Sequence, residues 1–161
     1  MTRTTKVLPR QTMIFIASWI VCLTAAGRVG NCQNLTINSL NGNQRDVVMF
    51  TISAKNAPNS VQSFGFDVHF DPKIFEFSRY ERGKMLEKYK FFDCAQLEPG
   101  VVRCGGFTAG TDKISAGQSG EMVFLYFKKI SCQNSVLSMK GLVDDFKGWE
   151  PENGRFLCWR N

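Results

Sequence analysis

The chain has 161 residues, of which 43% are hydrophobic and 21% charged, and its formal net charge is +6. This composition is typical of one globular domain and excludes a disordered or collagen-like chain. The single histidine, His69, excludes a histidine-rich zinc site, and no phosphate-binding glycine loop or H-E-x-x-H motif occurs. No run of more than two Lys or Arg residues is present, so the sequence does not suggest nucleic-acid binding.

The first 26 residues have the pattern of a secretory signal peptide. A positively charged leader precedes an uncharged, mostly apolar stretch, 13–26, which is shorter than the roughly 20 residues that span a bilayer. Thr24 and Ala26 are small residues that suit a cleavage site. We therefore expect a signal peptide over 1–26, one domain over 27–161, no membrane span after cleavage, and a secreted product that is extracellular or periplasmic.

Five cysteines follow this leader, and in an oxidising compartment they are disulfide candidates before they are metal ligands. Cys94 and Cys104 flank a Pro-Gly turn signal, so a hairpin there would place them opposite each other. Cys132–Cys158 is a second predicted pair, although Cys32 could replace either partner. We predict no metal site and no cofactor.

The region after the leader has the pattern of short strands separated by turn residues. In chain order the predicted strands are 35–40, 45–54, 61–70, 74–80, 89–95, 101–107, 121–130, 136–143 and 155–159. The clearest is 61–70, where large apolar residues alternate with Gly65, Asp67 and His69. The segment 81–87 favours a helical turn, and 108–120 is a loop. About nine short strands predict an all-β fold, an antiparallel sandwich or jelly roll with immunoglobulin-like packing of two sheets.

Three stretches, in this order and spacing, resemble the cohesin family. The stretch 64–77 contains an alternating strand, a Phe-Asp-Pro turn and a hydrophobic strand; 99–106 contains a Gly-x-Val-Arg-x-Gly strand; and 114–128 contains a closing loop and a long strand ending in Phe-Lys. The resemblance covers about 33–143. It implies a nine-stranded flattened jelly roll that is not an enzyme. It also implies binding of a dockerin, a small module with two calcium-loaded loops, in extracellular polysaccharide breakdown or surface assembly.

The resemblance also implies that the partner lies across one open sheet, which would include 61–70, 89–95, 101–107 and 121–130. The outward residues of three of these strands are the predicted partner-binding residues. They are Gly65, Asp67, His69, Val101, Arg103, Gly105, Met122, Phe124 and Tyr126. The last three allow two interpretations, because large apolar side chains on one strand face form either a binding stripe or a second core layer.

A second hypothesis is a carbohydrate-binding module on the same scaffold, whose partner would be a polysaccharide. Its candidate aromatic residues for sugar stacking are Phe124, Tyr126, Trp149 and Trp159. The acidic residues within 144–152 lie in a turn-rich stretch with no cleft implied, so they do not indicate a catalytic pair, and we predict no enzyme activity.

Overall fold

The computed structural model describes residues 34–42 and 46–159. Its strands are β1 (Leu35–Ile37), β2 (Leu40–Asn41), β3 (Val47–Ala54), β4 (Ser63–His69), β5 (Phe75–Arg82), β6 (Phe91–Glu98), β7 (Val101–Phe107), β8 (Gly120–Lys129), β9 (Ser135–Asp144), β10 (Pro151–Glu152) and β11 (Gly154–Leu157). A 3-10 helix, Lys84–Leu86, connects β5 to β6, inside the segment predicted to form a helical turn. Within this described part of the chain, no helix has the length and apolar character that crossing a bilayer requires.

The strands form two sheets packed face to face. The five-stranded sheet has the order β10-β1-β3-β8-β5, and the six-stranded sheet has the order β2-β11-β9-β4-β7-β6. The short pairs β1–β10 and β2–β11 are parallel, and all other pairs are antiparallel. The predicted all-β two-sheet sandwich is confirmed. The predicted leader 1–26, Cys32 and the first residue of the predicted strand 45–54 lie outside the described residues.

The core between the sheets is rich in aromatic rings, as the strand alternation requires. Phe64 and Phe66 of β4 and Phe127 of β8 are buried, and Phe64 stacks on Phe146 with ring centroids 4.8 Å apart. Burying each such side chain contributes about 1.5–3 kcal/mol to folding. Tyr89 is also buried, where its hydroxyl donates to the carbonyl oxygen of Val61 at 2.6 Å. Burial raises the pKa of Tyr89 to about 12.

Both predicted cysteine pairs are at bonding distance. Cys94 and Cys104 are directly opposed on β6 and β7, with their Cα atoms 4.1 Å apart, and both are buried beneath the six-stranded sheet. Cys132 and Cys158 join the segment before β9 to the end of β11, with their Cα atoms 5.4 Å apart. Among the described strands β6 ends the six-stranded sheet and pairs with β7 alone, so the first disulfide ties an outermost strand to its neighbour.

The outermost strands β5 and β6 meet at one side of the sandwich, where side chains of β5 bond to β6 and to the segment before it. Tyr80 donates from its hydroxyl to the carboxylate of Asp93 at 2.9 Å. Arg82 donates to the carbonyl oxygens of Tyr89 at 2.9 Å and Phe92 at 3.4 Å. These bonds close this side of the sandwich and fix the position of β6.

Candidate functional site: the outer face of the six-stranded sheet

The predicted binding residues divide between the two sheets. β4 and β7 are neighbours in the six-stranded sheet, whereas β8 lies between β3 and β5 in the five-stranded sheet. The residues that share one outer face are therefore Gly65, Asp67, His69, Val101, Arg103 and Gly105. The expectation that 121–130 belongs to the same open sheet was wrong, and Met122, Phe124 and Tyr126 lie elsewhere. Alternation shows which residues of a strand share a side, but it does not show which sheet the strand joins.

Met122 was also wrongly placed on an outer face, because it is fully buried. The pairing of β3 with β8 shifts here: Ile52 opposes Val123, but Ser53 opposes Glu121. Met122 is the extra residue of this β-bulge, which interrupts the alternation and allows Met122 and Val123 to be buried together. Of the two interpretations of this stretch, burial is correct for Met122.

The outward residues of β6, β7, β4 and β9 lie in rows across the six-stranded sheet, because the strands pair in continuous register apart from local shifts. From the β6 side to the β9 side, the rows are Phe91–Phe107–Ser63, Asp93–Gly105–Gly65–Val143, Ala95–Arg103–Asp67–Lys140 and Glu98–Val101–His69–Ser138. All six predicted residues on this face lie in the last three of these rows, each directly beside one other predicted residue. The alternation in the sequence therefore placed these six residues on one face.

Gly65 and Gly105 oppose each other and leave the middle of this face without side chains. Pairing is continuous through Gly105 and Gly106 on both sides of β7, so there is no bulge at this position. A Cβ atom at Gly105 would lie 3.3 Å from the carbonyl oxygen of Phe64, and one at Gly65 would lie 2.9 Å from Cγ2 of Val143. Bare backbone of this kind permits the close approach of another chain.

Three exposed apolar side chains border this glycine pair. Phe91 and Phe107 stack with ring centroids 5.5 Å apart, and they remain 49% and 53% exposed. Val143, which lies beside Gly65, is 51% exposed. Outer faces of antiparallel sheets are normally polar, so a group of exposed apolar residues in one place marks an interaction surface.

Phe91, Phe107 and Val143 were not among the predicted site residues, although a signal for two of them was present. Phe107 continues the alternation of Arg103 and Gly105 by one step. Phe91 opposes Phe107 in the hairpin whose register also pairs the two cysteines. Val143 lies beyond a shift in the pairing of β4 with β9, and the sequence contains no signal for that shift.

Arg103 and Asp67 form a bidentate ion pair in the centre of the face. Nε of Arg103 donates to Oδ1 of Asp67 at 2.7 Å, and Nη2 donates to Oδ2 at 2.8 Å. The Arg103 side chain is 60% exposed, whereas that of Asp67 is 15% exposed. The hydrogen bonds from Arg103 lower the pKa of Asp67 below its ordinary value. On the β9 side, Gly141 has a φ of +60°, and a Cβ atom there would lie 3.2 Å from Oδ2 of Asp67.

The outer face of the five-stranded sheet carries a different arrangement around Tyr126. The guanidinium carbon of Arg79 lies 3.7 Å from the centre of the Tyr126 ring. The Tyr126 hydroxyl donates to Glu81 at 2.9 Å, and Arg79 also pairs with Glu81. The hydrogen bond to Glu81 raises the pKa of Tyr126. Phe124 pairs with Glu81 across the strands and is half-buried, while the ring of Tyr126 is covered by Arg79.

The other aromatic residues proposed for sugar stacking do not join them. Trp149 is buried and donates from Nε1 to Oδ1 of Asn59 at 2.8 Å, so it belongs to the core. Trp159 is exposed near the end of the described chain, beside the Cys132–Cys158 disulfide. These positions supply no common aromatic platform.

Two of the acidic residues within 144–152 have partners elsewhere in the sandwich. Asp145 accepts hydrogen bonds from the backbone of Gln62 and Ser63, at 2.7 and 3.1 Å, and Glu152 pairs with Lys55 at 3.5 Å. Over residues 34–42 and 46–159, no three His, Cys, Asp or Glu side chains come together as metal ligands.

Comparison with protein families identifies the group to which the chain belongs. The family model for the cohesin domain matches residues 33–141, about two thirds of the chain. The chain belongs to the cohesin domain family. The resemblance noted in the sequence is thereby confirmed. A comparison with curated protein sequences finds no match.

Solved cohesin structures have the same fold. The third cohesin of ScaC from Acetivibrio cellulolyticus, solved in complex with the ScaB dockerin, superposes with a TM-score of 0.66 at 18% identity, covering 78% of this chain and 98% of that one. The seventh ScaB type I cohesin from Pseudobacteroides cellulosolvens also gives 0.66, at 17% identity, covering 80% of this chain and 92% of that one. A non-cellulosomal cohesin from the archaeon Archaeoglobus fulgidus gives 0.61 at 18% identity, covering 76% and 88%. At these identities the likeness supports the shared sandwich fold.

Proposed function

We propose that this cohesin domain is a non-catalytic module that binds a dockerin-type protein through the outer face of its six-stranded sheet. The observation that carries the proposal is the exposed pair Phe91 and Phe107 beside the bare backbone of Gly65 and Gly105. Aromatic and arginine side chains are enriched at the centres of protein interfaces. Arg103 lies in the row next to the two glycines. A cohesin of the same fold, ScaC from Acetivibrio cellulolyticus, is solved with a dockerin bound.

The chemistry of the face favours binding over catalysis. Both carboxylate oxygens of Asp67 are occupied by Arg103, so Asp67 is not available as a general base. His69 lies on the same face beside Ser138, but no hydrogen bond joins these two side chains in the described residues, so they do not form a base–nucleophile pair. We therefore propose no enzyme activity and no bound cofactor.

Export fits the cysteine pairing. Disulfides persist in oxidising compartments, and the described part of this domain contains two. We propose that 1–26 is a signal peptide, that 27–161 is the mature domain, and that the domain acts outside the cytoplasm. A dockerin of the type that the family resemblance implies needs Ca²⁺ to order its loops, so a chelator should release the complex without unfolding the cohesin.

Two valines provide a matched test of which face binds. Val143 on the six-stranded sheet is 51% exposed, and Val47 on the outer face of the five-stranded sheet is 48% exposed. Val143→Asp should abolish capture of a calcium-loaded dockerin from a panel, because it places a charge beside Gly65, whereas Val47→Asp should leave capture unchanged. Affinity is measured by calorimetry, and thermal melts of both variants check the fold.

The same panel includes insoluble cellulose and chitin. Calcium-independent retention on a polysaccharide, with no dockerin captured, would overturn this proposal in favour of carbohydrate binding. Loss of dockerin capture in Val47→Asp but not in Val143→Asp would place the site on the other sheet.

A further inference from the structure

Arg103 has unused hydrogen-bond donors at the centre of the proposed binding face. A guanidinium carries five N–H groups. Asp67 accepts one from Nε and one from Nη2, and the other three have no acceptor among the described residues. These three donors belong to a side chain that is 60% exposed. Arg103 can therefore donate hydrogen bonds to a second, external ligand while it keeps its bonds to Asp67.

Asp67 holds Arg103 in one orientation before any partner arrives. The Asp67 side chain is 15% exposed, it binds the guanidinium through both oxygens, and Gly141 lies against it on the β9 side. A side chain that is already fixed loses less conformational entropy on binding. Arg103 is thus preorganised, and the planar guanidinium suits bidentate recognition of a carboxylate.

The row that contains Arg103 carries an excess of positive charge, which favours an anionic ligand there. Asp67 is neutralised by Arg103, and Lys140 follows Asp67 in the same row, where it is exposed and has no ion pair within the described part of the chain. On the β6 side of Arg103, Ala95 adds no charge to this row, while Asp93, which accepts a hydrogen bond from Tyr80, and Glu98 lie in the rows on either side. In the neighbouring row, Gly65 and Gly105 have no side chains, so a partner residue can reach the guanidinium across these two glycines.

We propose that Arg103 is a specificity-determining residue that binds an Asp or Glu carboxylate of the partner, with Asp67 as its positioning residue. This inference rests on the proposed function, because it requires a dockerin-type partner on this face. The partner would place an apolar residue over Phe91 and Phe107 and an acidic residue two rows away, over Arg103 and Lys140. Charge complementarity of this kind determines which partner binds more than how tightly it binds.

A display library tests the inference without knowing the natural partner. The probe is one calcium-loaded dockerin scaffold in which surface positions vary among Asp, Glu, Lys, Arg, Ala, Ser and Leu. Selection against the wild-type mature domain should enrich Asp or Glu at one position. Selection against Arg103→Glu should enrich Lys or Arg at that same position. A binder selected on the wild type should lose about 30-fold in affinity for Arg103→Glu.

Arg79→Glu is the matched control. Arg79 is similarly exposed and is also paired with a carboxylate, Glu81, but it lies on the five-stranded sheet. It should select the same dockerin sequences as the wild type. Since Arg103→Glu leaves Asp67 beside a second carboxylate, the double variant Asp67→Asn/Arg103→Gln is included. It removes both charges together and should abolish the acidic preference while the thermal melt shows a folded protein.

The outcomes separate this inference from the proposed function. Binders that show no charge preference, or that carry a basic residue at the selected position and keep their affinity for Arg103→Glu, would overturn the role of Arg103 and leave dockerin binding in place. If the library yields no binder for the wild type and the protein is retained on a polysaccharide instead, both the role of Arg103 and the proposed dockerin binding would be overturned.

Discussion

The outer faces of the two sheets contain similar residue types, but those residues are arranged to opposite effect. On the five-stranded sheet, Arg79 covers the ring of Tyr126 and both bond to Glu81. On the six-stranded sheet, the rings of Phe91 and Phe107 cover only each other, and Arg103 retains unused donors beside Asp67. Cross-strand register decides whether an arginine meets an aromatic ring of its own sheet or stays available to a partner. On the five-stranded sheet these side chains bond to one another, whereas on the six-stranded sheet they remain available to a partner.

The largest expected effect is a loss of folding stability on truncating Met122, for which Phe107 provides the comparison. Met122→Ala should destabilise the domain by about 2–5 kcal/mol, because it opens a cavity at a fully buried position. Phe107→Ala should change the free energy of unfolding by much less, since half of the side chain is already in solvent. Urea denaturation of both variants measures the difference. Equal losses would show that Phe107 is part of the core.

The disulfide beneath the binding face should be nearly as important. Cys94→Ala/Cys104→Ala should reduce the free energy of unfolding by about 3 kcal/mol, because the unfolded chain loses a constraint. Amide hydrogen exchange should also accelerate in β6, whose only strand neighbour is β7. Cys132→Ala/Cys158→Ala is the control: it should cost a similar amount without a selective effect on β6. Unchanged exchange in β6 would mean that hydrogen bonds alone hold this strand.

Next in size is the contribution of the exposed ring pair to binding. Phe107→Ala should weaken affinity for a captured dockerin by about 30-fold, a loss of about 2 kcal/mol that is typical of a hot spot. Phe124→Ala, which alters an aromatic residue on the opposite face, should leave affinity within a few-fold of wild type. Surface plasmon resonance compares the two variants. Equal effects on binding would remove the distinction between the faces.

The smallest effect should be the pH dependence of the Asp67 pair. Because Arg103 lowers the pKa of Asp67 in the folded state, this pair contributes stability above the unfolded pKa of Asp, about 3.9, and the contribution is lost as the pH falls through the lower folded value. The melting temperature of Asp67→Asn should therefore lie below that of the wild type at neutral pH. The two should converge once the pH falls below the lowered folded-state pKa of Asp67. A gap that persists in acid would assign the effect to packing against Gly141.

The sequence predicts the elements of this fold better than their assembly. Strict alternation located β4, and the Pro-Gly turn between Cys94 and Cys104 gave the register of β6 with β7, because both signals are local. The same alternation correctly placed Asp67 and Arg103 on an outer face. It could not assign β8 to a sheet, since that depends on pairing with strands distant in sequence.

Two further errors have local structural causes. Met122 was placed outward because a bulge reverses the alternation only within the paired structure, where Ser53 opposes Glu121. Phe91 and Phe107 were missed because each lies at an end of its strand, where the alternation was not extended far enough. The proposed binding surface therefore includes residues beyond those predicted from the sequence, towards these strand ends.

The closed side of the sandwich also bears on how the protein behaves at high concentration. An outermost strand with free backbone groups is a template onto which another chain can add, and β6 combines this position with the exposed Phe91. Arg82 and Tyr80 already bond to the carbonyl oxygen of Phe92 and the carboxylate of Asp93. An incoming strand would have to displace both side chains before it could pair there. These contacts hinder strand addition at Phe92 and Asp93, next to the exposed Phe91 of the proposed binding face.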